Sequence, residues 1–327
     1  MSINTLSDFI KRHQVLSFFI LAYAISWITW VPFFPLFIDK EIFLAGPLIM
    51  VGIFGPAIAG IIISAILDPR SDQSGRWLYW TAFIVTWILA TLILILNPNL
   101  KYDISPPILV ICMMTGLVPA FIVSAAFSKF PAIRNYLSSL IHPRGGISWY
   151  VLAFLLFPAL QLLGVAIAQA FDQEVTWRTI EASGSLGIAS IVICTFFYQF
   201  FYANCIGEET GWRGFAQPRL QARFNPLTAG IIIGFLWGVW HLPLWRAETG
   251  SLTGEHIILI IFHIINGVLF AWLYNRSKAS ILAVGILHTS GNVSLCFLPV
   301  TAFFFMLIII LIIFVVVSDR MWRKVTF

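Results

Sequence analysis

Apolar runs of about twenty residues follow one another from Val15 to Val317, separated by short polar links. A helix needs about 20 largely apolar residues to cross a bilayer. The runs fall at Val15–Ile38, Phe43–Leu67, Trp77–Leu96, Pro107–Phe127, Ser148–Phe171, Leu186–Ile206, Leu227–Trp245, Ile257–Tyr274, Ile281–Cys296 and Pro299–Val317. They are continuous rather than alternating, so they read as helices and not as barrel strands. Hydrophobic residues make up 60% of the chain and charged residues 10%. A soluble fold needs about 25% charged residues to cover its surface, so lipid must cover much of this one. The expected fold is all-α: a polytopic membrane helical bundle with about ten transmembrane helices. The last two runs are short and joined by Leu298-Pro299, so they can also be one broken helix.

Lys11 and Arg12 before the first run, and Ala22-Tyr23-Ala24 within it, resemble a signal peptide. The apolar stretch continues to Ile38, well past a signal core, so a retained span is expected. The four cysteines, Cys112, Cys194, Cys205 and Cys296, lie in or beside apolar runs without paired spacing. They read as free, buried thiols.

The net charge of +5 does not form a nucleic-acid footprint, because the basic residues are scattered at the ends of the apolar runs. With the N-terminus inside and the spans alternating, only Lys40, Lys101, Arg178 and Arg246 of the 19 Lys and Arg residues fall outside. That bias places both termini in the cytoplasm. The longest inside loop, Ser128–Ile147, contains an amphipathic stretch at Phe130–Ile141 that can lie along the membrane surface. Gly145-Gly146 is the best candidate boundary. It divides N-terminal helices without a recognised motif (1–147) from a C-terminal core (148–298), which is followed by a last helix and a short cytoplasmic tail (299–327).

Ionisable residues inside apolar segments are costly, and each is a functional candidate. Three clusters stand out. In Glu208-Glu209-Thr210-Gly211-Trp212-Arg213, Glu209 and Arg213 are four apart and can pair on one helix face, which leaves Glu208 without that cation. A carboxylate so placed can act as a general base. His241 lies in an aromatic segment, Phe235–Pro243. His288 and Asn292 are four apart and can donate to one point, as an oxyanion hole requires. Taken singly, each cluster has an ordinary explanation: an interfacial pair, a satisfied histidine, polar glue between helices. Together they make a set that can hydrolyse an amide without a covalent nucleophile. Glu208 would deprotonate water with help from His241, and His288 and Asn292 would hold the tetrahedral oxygen. The nominal run ends leave Glu208 and His241 on the order of 20 Å apart in depth. The gap shrinks if the sixth helix continues past Arg213, through an amphipathic Gly214–Arg223 that meets water near Arg219. The site is then expected inside the membrane, open to the inner aqueous side.

His263 and Asn266, three apart on one face of the eighth run, can line the cavity but read chiefly as packing glue, and His256 as interfacial. Tyr202 and Asn204 precede the Glu pair by a turn and can be supporting partners.

These clusters resemble the CPBP (CAAX protease and bacteriocin-processing, or Abi) family of intramembrane proteases, and are similar to its type II CAAX prenyl proteases. Glu208-Glu209 with Arg213 matches the family's EExxxR. His241 matches FxxxH, with Trp237 in place of the Phe. His288 with Asn292 matches HxxxN. Gly211–Phe215 and Gln217–Leu220 look like the usual continuation. The resemblance implies an endopeptidase acting on a membrane-associated or lipidated, CAAX-like peptide, in the lipid bilayer of a bacterial cell. Glu208, His241, His288 and Asn292 would be catalytic, and Glu209 and Arg213 supporting. Zinc held by Glu208, His241 and His288 is the alternative to a metal-independent mechanism, and no HExxH is present. From other classes, a secondary transporter would place its polar groups in matching halves, which is not seen here. A non-catalytic scaffold of the immunity type would not need the full set.

Overall fold

A computed structural model describes residues 3–33, 49–72, 75–97, 105–177 and 184–324. Every regular element among them is helical. The helices are α1 (Ile3–Arg12), α2 (Gln14–Trp30), α3 (Gly55–Leu67), α4 (Arg76–Ile95), α5 (Pro106–Ala125), α6 (Pro131–Ile141) and α7 (Ile147–Ala170). They continue with α8 (Gly184–Tyr202), α9 (Pro226–Trp240), α10 (Leu242–Thr249), α11 (Gly254–Arg276), α12 (Ile281–Phe297) and α13 (Ala302–Ser318).

The protein is an integral membrane bundle, but ten full spans are not what the described residues form. Six helices are long and apolar enough to cross a membrane, or seven if α1 and α2, bent by 110° at their junction, count as one. Three of the expected spans, α3, α12 and α13, are only 13, 17 and 17 residues long. Breakers set their ends: Gly55-Pro56 opens α3, Asp68-Pro69 follows it, and Leu298-Pro299 separates α12 from α13. The last two apolar runs are therefore two helices. The first run leaves the helix at Val31–Phe33, where Pro32 intervenes. Its remainder, the start of the second run, and Lys40, Lys101 and Arg178 lie outside the described residues.

Apolar side chains face outward along the spans, as a lipid environment demands. Trp77, Trp80, Ile84 and Ile88 are exposed on α4, and Ile309, Ile310, Ile313 and Phe314 on α13. The amphipathic loop segment forms α6, which docks on the bundle: Ile133, Tyr136, Leu137 and Leu140 are buried, and Tyr136 donates its hydroxyl to the Thr210 carbonyl at 2.9 Å. Cys112 and Cys205 are buried as expected, whereas Cys296 is exposed near the end of α12.

Two features position the site. The first is the continuation of α8 into a helix running from Gly187 to Gln221. The helix thus continues past Arg213 as expected, and Glu208 lies within it rather than at its end. At its C-terminal end the expected polar face is divided: Gln217 and Gln221 are buried, whereas Arg219 is half-buried and Arg223 exposed. The two glutamines bond to each other, and Gln221 donates to Asn275 on α11. The second is a stripe of small residues on α9. Gly230, Gly234 and Gly238 lie against the backbone of α11, and a Cβ on Gly234 would stand 2.6 Å from the carbonyl oxygen of His263. Small residues at four-residue spacing let membrane helices approach to backbone contact.

Candidate active site

Regular α-helix stops at Tyr202. Asn204–Glu209 and Trp212–Ala216 are π-helical turns. The Thr210 hydroxyl bonds the carbonyl five residues back, on Cys205, at 3.0 Å. Such turns are rare, and they recur at functional sites because the extra residue per turn re-aims side chains. Here both acidic residues sit within one.

Glu209 is fully buried and faces away from the cavity described below. Its Oε1 accepts from Arg213 Nη1 at 3.0 Å and faces His288 Nδ1 at 2.9 Å. Arg213, also fully buried, places its guanidinium over the ring of Phe270, 4.9 Å from the centroid, and near that of Trp237. The four-apart pairing expected from sequence is present. The third member, His288 from α12, was not legible.

Glu208 has no such cation contact. Its Oε2 accepts the indole N–H of Trp237 at 2.5 Å. Trp237 is the aromatic residue one turn before His241, and it makes a second contact there: its carbonyl lies 2.9 Å from His241 Nδ1. A carbonyl only accepts, so Nδ1 carries the proton and the neutral ring presents a lone pair at Nε2. The same logic applies to His263, whose Nδ1 lies 2.7 Å from the Leu259 carbonyl. It applies to His288 as well, where the acceptor is the Glu209 carboxylate. His288 therefore donates from Nε2 only as imidazolium. Asn292 donates one amide hydrogen to Asn204 Oδ1 at 3.1 Å, and its second remains for another acceptor.

Glu208, His241, His288 and Asn292 line one cavity of about 260 Å³. They come from the π segment, the α9–α10 junction and α12. A space of this size lies just under the usual range for small-molecule pockets. It suits a peptide unit and its flanking side chains. His263 and Asn266 of α11 also line it, the less favoured of their two readings from sequence. The His263 ring centroid is 4.7 Å from that of His241, and Trp245 stacks on His241 at 5.4 Å. The signal for His263 and Asn266 was present in their three-residue spacing on one face. What was missing was which helix that face meets. His256, in the first turn of α11, is buried and closes a capping box with Thr253. Asn204 is a partner of the site through Asn292, whereas Tyr202 is buried and stacks on Tyr198.

Among the described residues no group of three His, Cys, Asp or Glu side chains converges as a metal site. His288 is held by Glu209 through Nδ1, which leaves Nε2 as its other ring nitrogen, and Glu208 accepts from Trp237 through Oε2. Glu208, His241 and His288 share the cavity wall, and a zinc ion would take the second carboxylate oxygen and the two Nε2 atoms, with Glu209 fixing the His288 ring from behind.

Residues 189–294 match the family model for type II CAAX prenyl endopeptidases, Rce1-like. Over 236 residues the chain is 26% identical to CAAX prenyl protease 2 of Methanococcus maripaludis, a match that covers 68% of this chain and 84% of that protein. The family match contains all three polar clusters, from Glu208 to Asn292. The chain is thus similar to the CAAX prenyl proteases, as its three motifs imply, and this similarity supports a membrane-embedded peptidase. It carries no bacterial assignment, since the relative is archaeal.

Proposed function

We propose that this protein is an intramembrane endopeptidase that cleaves a membrane-associated, prenylated CAAX-type peptide by a metal-independent, glutamate-activated water. One observation carries the reading: Glu208, His241, His288 and Asn292 line a single cavity in a bundle of apolar spans. Similarity to the prenyl proteases supplies the substrate class.

Glu208 takes a proton from water, and the resulting hydroxide attacks the scissile carbonyl carbon. The Nε2 lone pair of His241 accepts the water's other hydrogen and holds the nucleophile in line. Charge moves to the former carbonyl oxygen, which accepts from the second amide hydrogen of Asn292 and from Nε2 of a protonated His288. Glu209 holds that ring in place through Nδ1. Preorganised donors of this kind are worth about 10²–10³ in rate each. Glu208 then returns its proton to the amide nitrogen, the C–N bond breaks, and a carboxyl product and an amine leave. Glu209 and Arg213 act through His288 as positioning residues.

The test is cleavage of a farnesylated CAAX peptide by the purified full chain, alongside Glu208→Gln and an unprenylated control peptide. Turnover by the wild type, and its loss in a variant that still unfolds at the wild-type temperature, is the expected result. A chain that forms no cleaved product, or a Glu208→Gln variant with wild-type turnover, would overturn the reading.

A further inference from the structure

A second cavity, of about 430 Å³, lies between α3, α6 and the inner end of the long helix that ends at Gln221. It shares no lining residue with the catalytic cavity. Arg219 reaches it from the Gln217–Leu220 run, a motif element that proteolysis does not use. The Arg219 guanidinium is half-buried. It donates to Gln14 Oε1 at 2.9 Å and to the Phe215 carbonyl at 3.0 Å, and lies 3.6 Å over the Phe215 ring. All of these partners are neutral. Arg144, on the opposite wall, donates to Ser138 Oγ at 2.8 Å, again a neutral group.

The lining contains one carboxylate, Asp68, and that is already engaged. Arg70 binds it through Nε at 2.7 Å and Nη2 at 2.6 Å, and these bonds hold its carboxyl below the usual range. Two guanidinium groups are thus left without a counter-charge among the described residues, one of them partly withdrawn from water. Such a charge is costly unless an anion accompanies it. On the cavity wall Ser64 is only 3% exposed, and its hydroxyl has no hydrogen-bond partner. Two planar cations and an unpartnered hydroxyl suit an anion with several oxygens rather than a monatomic one.

We propose that this cavity binds a phosphate-class anion, held by Arg144 and Arg219 with Ser64 as a neutral donor. The shared chemistry fits a phospholipid headgroup from the adjoining leaflet or a free phosphate. The experiment separates the two sources with the full chain in zwitterionic detergent. One arm follows the unfolding temperature against sodium phosphate, with sodium chloride at matched ionic strength as control. The other arm follows retention of phosphatidylglycerol against phosphatidylcholine by native mass spectrometry. Saturable binding in either arm is expected. Arg144→Gln, which keeps Arg219 and so spares the packed end of the helix, should weaken it about tenfold or more, the loss of one charge-assisted bond. Arg76→Gln, a cation outside this cavity, should leave it unchanged. A response to phosphatidylglycerol alone identifies a headgroup site, and a response to phosphate identifies a site open to soluble anions. No saturable response in either arm, or equal weakening by Arg144→Gln and Arg76→Gln, would overturn the proposal.

Discussion

Glu209 Oε1 lies 2.9 Å from Nδ1 of His288, although 79 residues separate them along the chain. Arg213 binds the same carboxylate, so three charge-bearing side chains from two helices form a buried group behind the cavity. Glu208, the next residue, takes no part and meets an indole N–H instead. Two adjacent carboxylates are thus assigned to different tasks by the partner each one finds.

The two glutamates should fail in different ways. Glu209→Gln leaves Arg213 buried without its counter-charge, a loss of about 3–5 kcal/mol for a broken buried pair. Its unfolding temperature should drop sharply. Glu208→Gln removes only the base and keeps an acceptor for Trp237, so its unfolding should match the wild type while turnover falls by 10²-fold or more. Thermal unfolding and peptide cleavage measured side by side on both variants provide the check.

Asn292 should depend on Asn204 for its aim. Asn292→Ala removes an oxyanion donor, and kcat should fall by about 10²–10³. Asn204→Ala leaves the amide in place but unheld, and kcat should fall by roughly tenfold with KM little changed. Asn204→Asp keeps the acceptor at Oδ1 and should restore much of that loss. If Asn204→Asp is as impaired as Asn204→Ala, the 3.1 Å bond does not govern the orientation.

His263 belongs to the cavity wall, in ring contact with His241. His263→Phe keeps the aromatic packing against Trp237 and Trp245 while removing Nε2. A fold-preserving loss of about tenfold or more in kcat is expected if that nitrogen faces the reacting atoms. Unchanged kcat with a lowered unfolding temperature would return the residue to a packing role.

Metal removal should leave turnover intact. Dialysis against a strong chelator, followed by elemental analysis of the same sample, is the measurement. Activity that vanishes with the metal content and returns with zinc would overturn the metal-independent mechanism and make Glu208, His241 and His288 the ligands.

Much of the architecture could be read from sequence because membrane solvation imposes simple rules. The helices α4, α5 and α7 begin and end within about two residues of their apolar runs, as continuous apolarity with few breakers dictates. The four cavity residues stood out because ionisable and amide side chains are rare in such segments. The π turns were not legible, since no residue pattern distinguishes them from α-helix before tertiary contacts choose. The count of ten is not confirmed, because apolar length and helix length part company at Asp68-Pro69 and Leu298-Pro299. The contact between Glu209 and His288, and the inward turn of His263, depend on which faces meet, which periodicity alone does not specify.

The glycine stripe on α9 has a consequence for the chemistry it supports. Gly234 stands against the very carbonyl of His263, seven residues before His241 along α9, and Gly238 faces the His263 Cβ. The gap between the two histidine rings is therefore gauged by hydrogen atoms: a methyl group at that point would act as a wedge, parting the helices and moving one histidine off the other without altering either. The width of the cavity is in that sense calibrated by side chains that are not there.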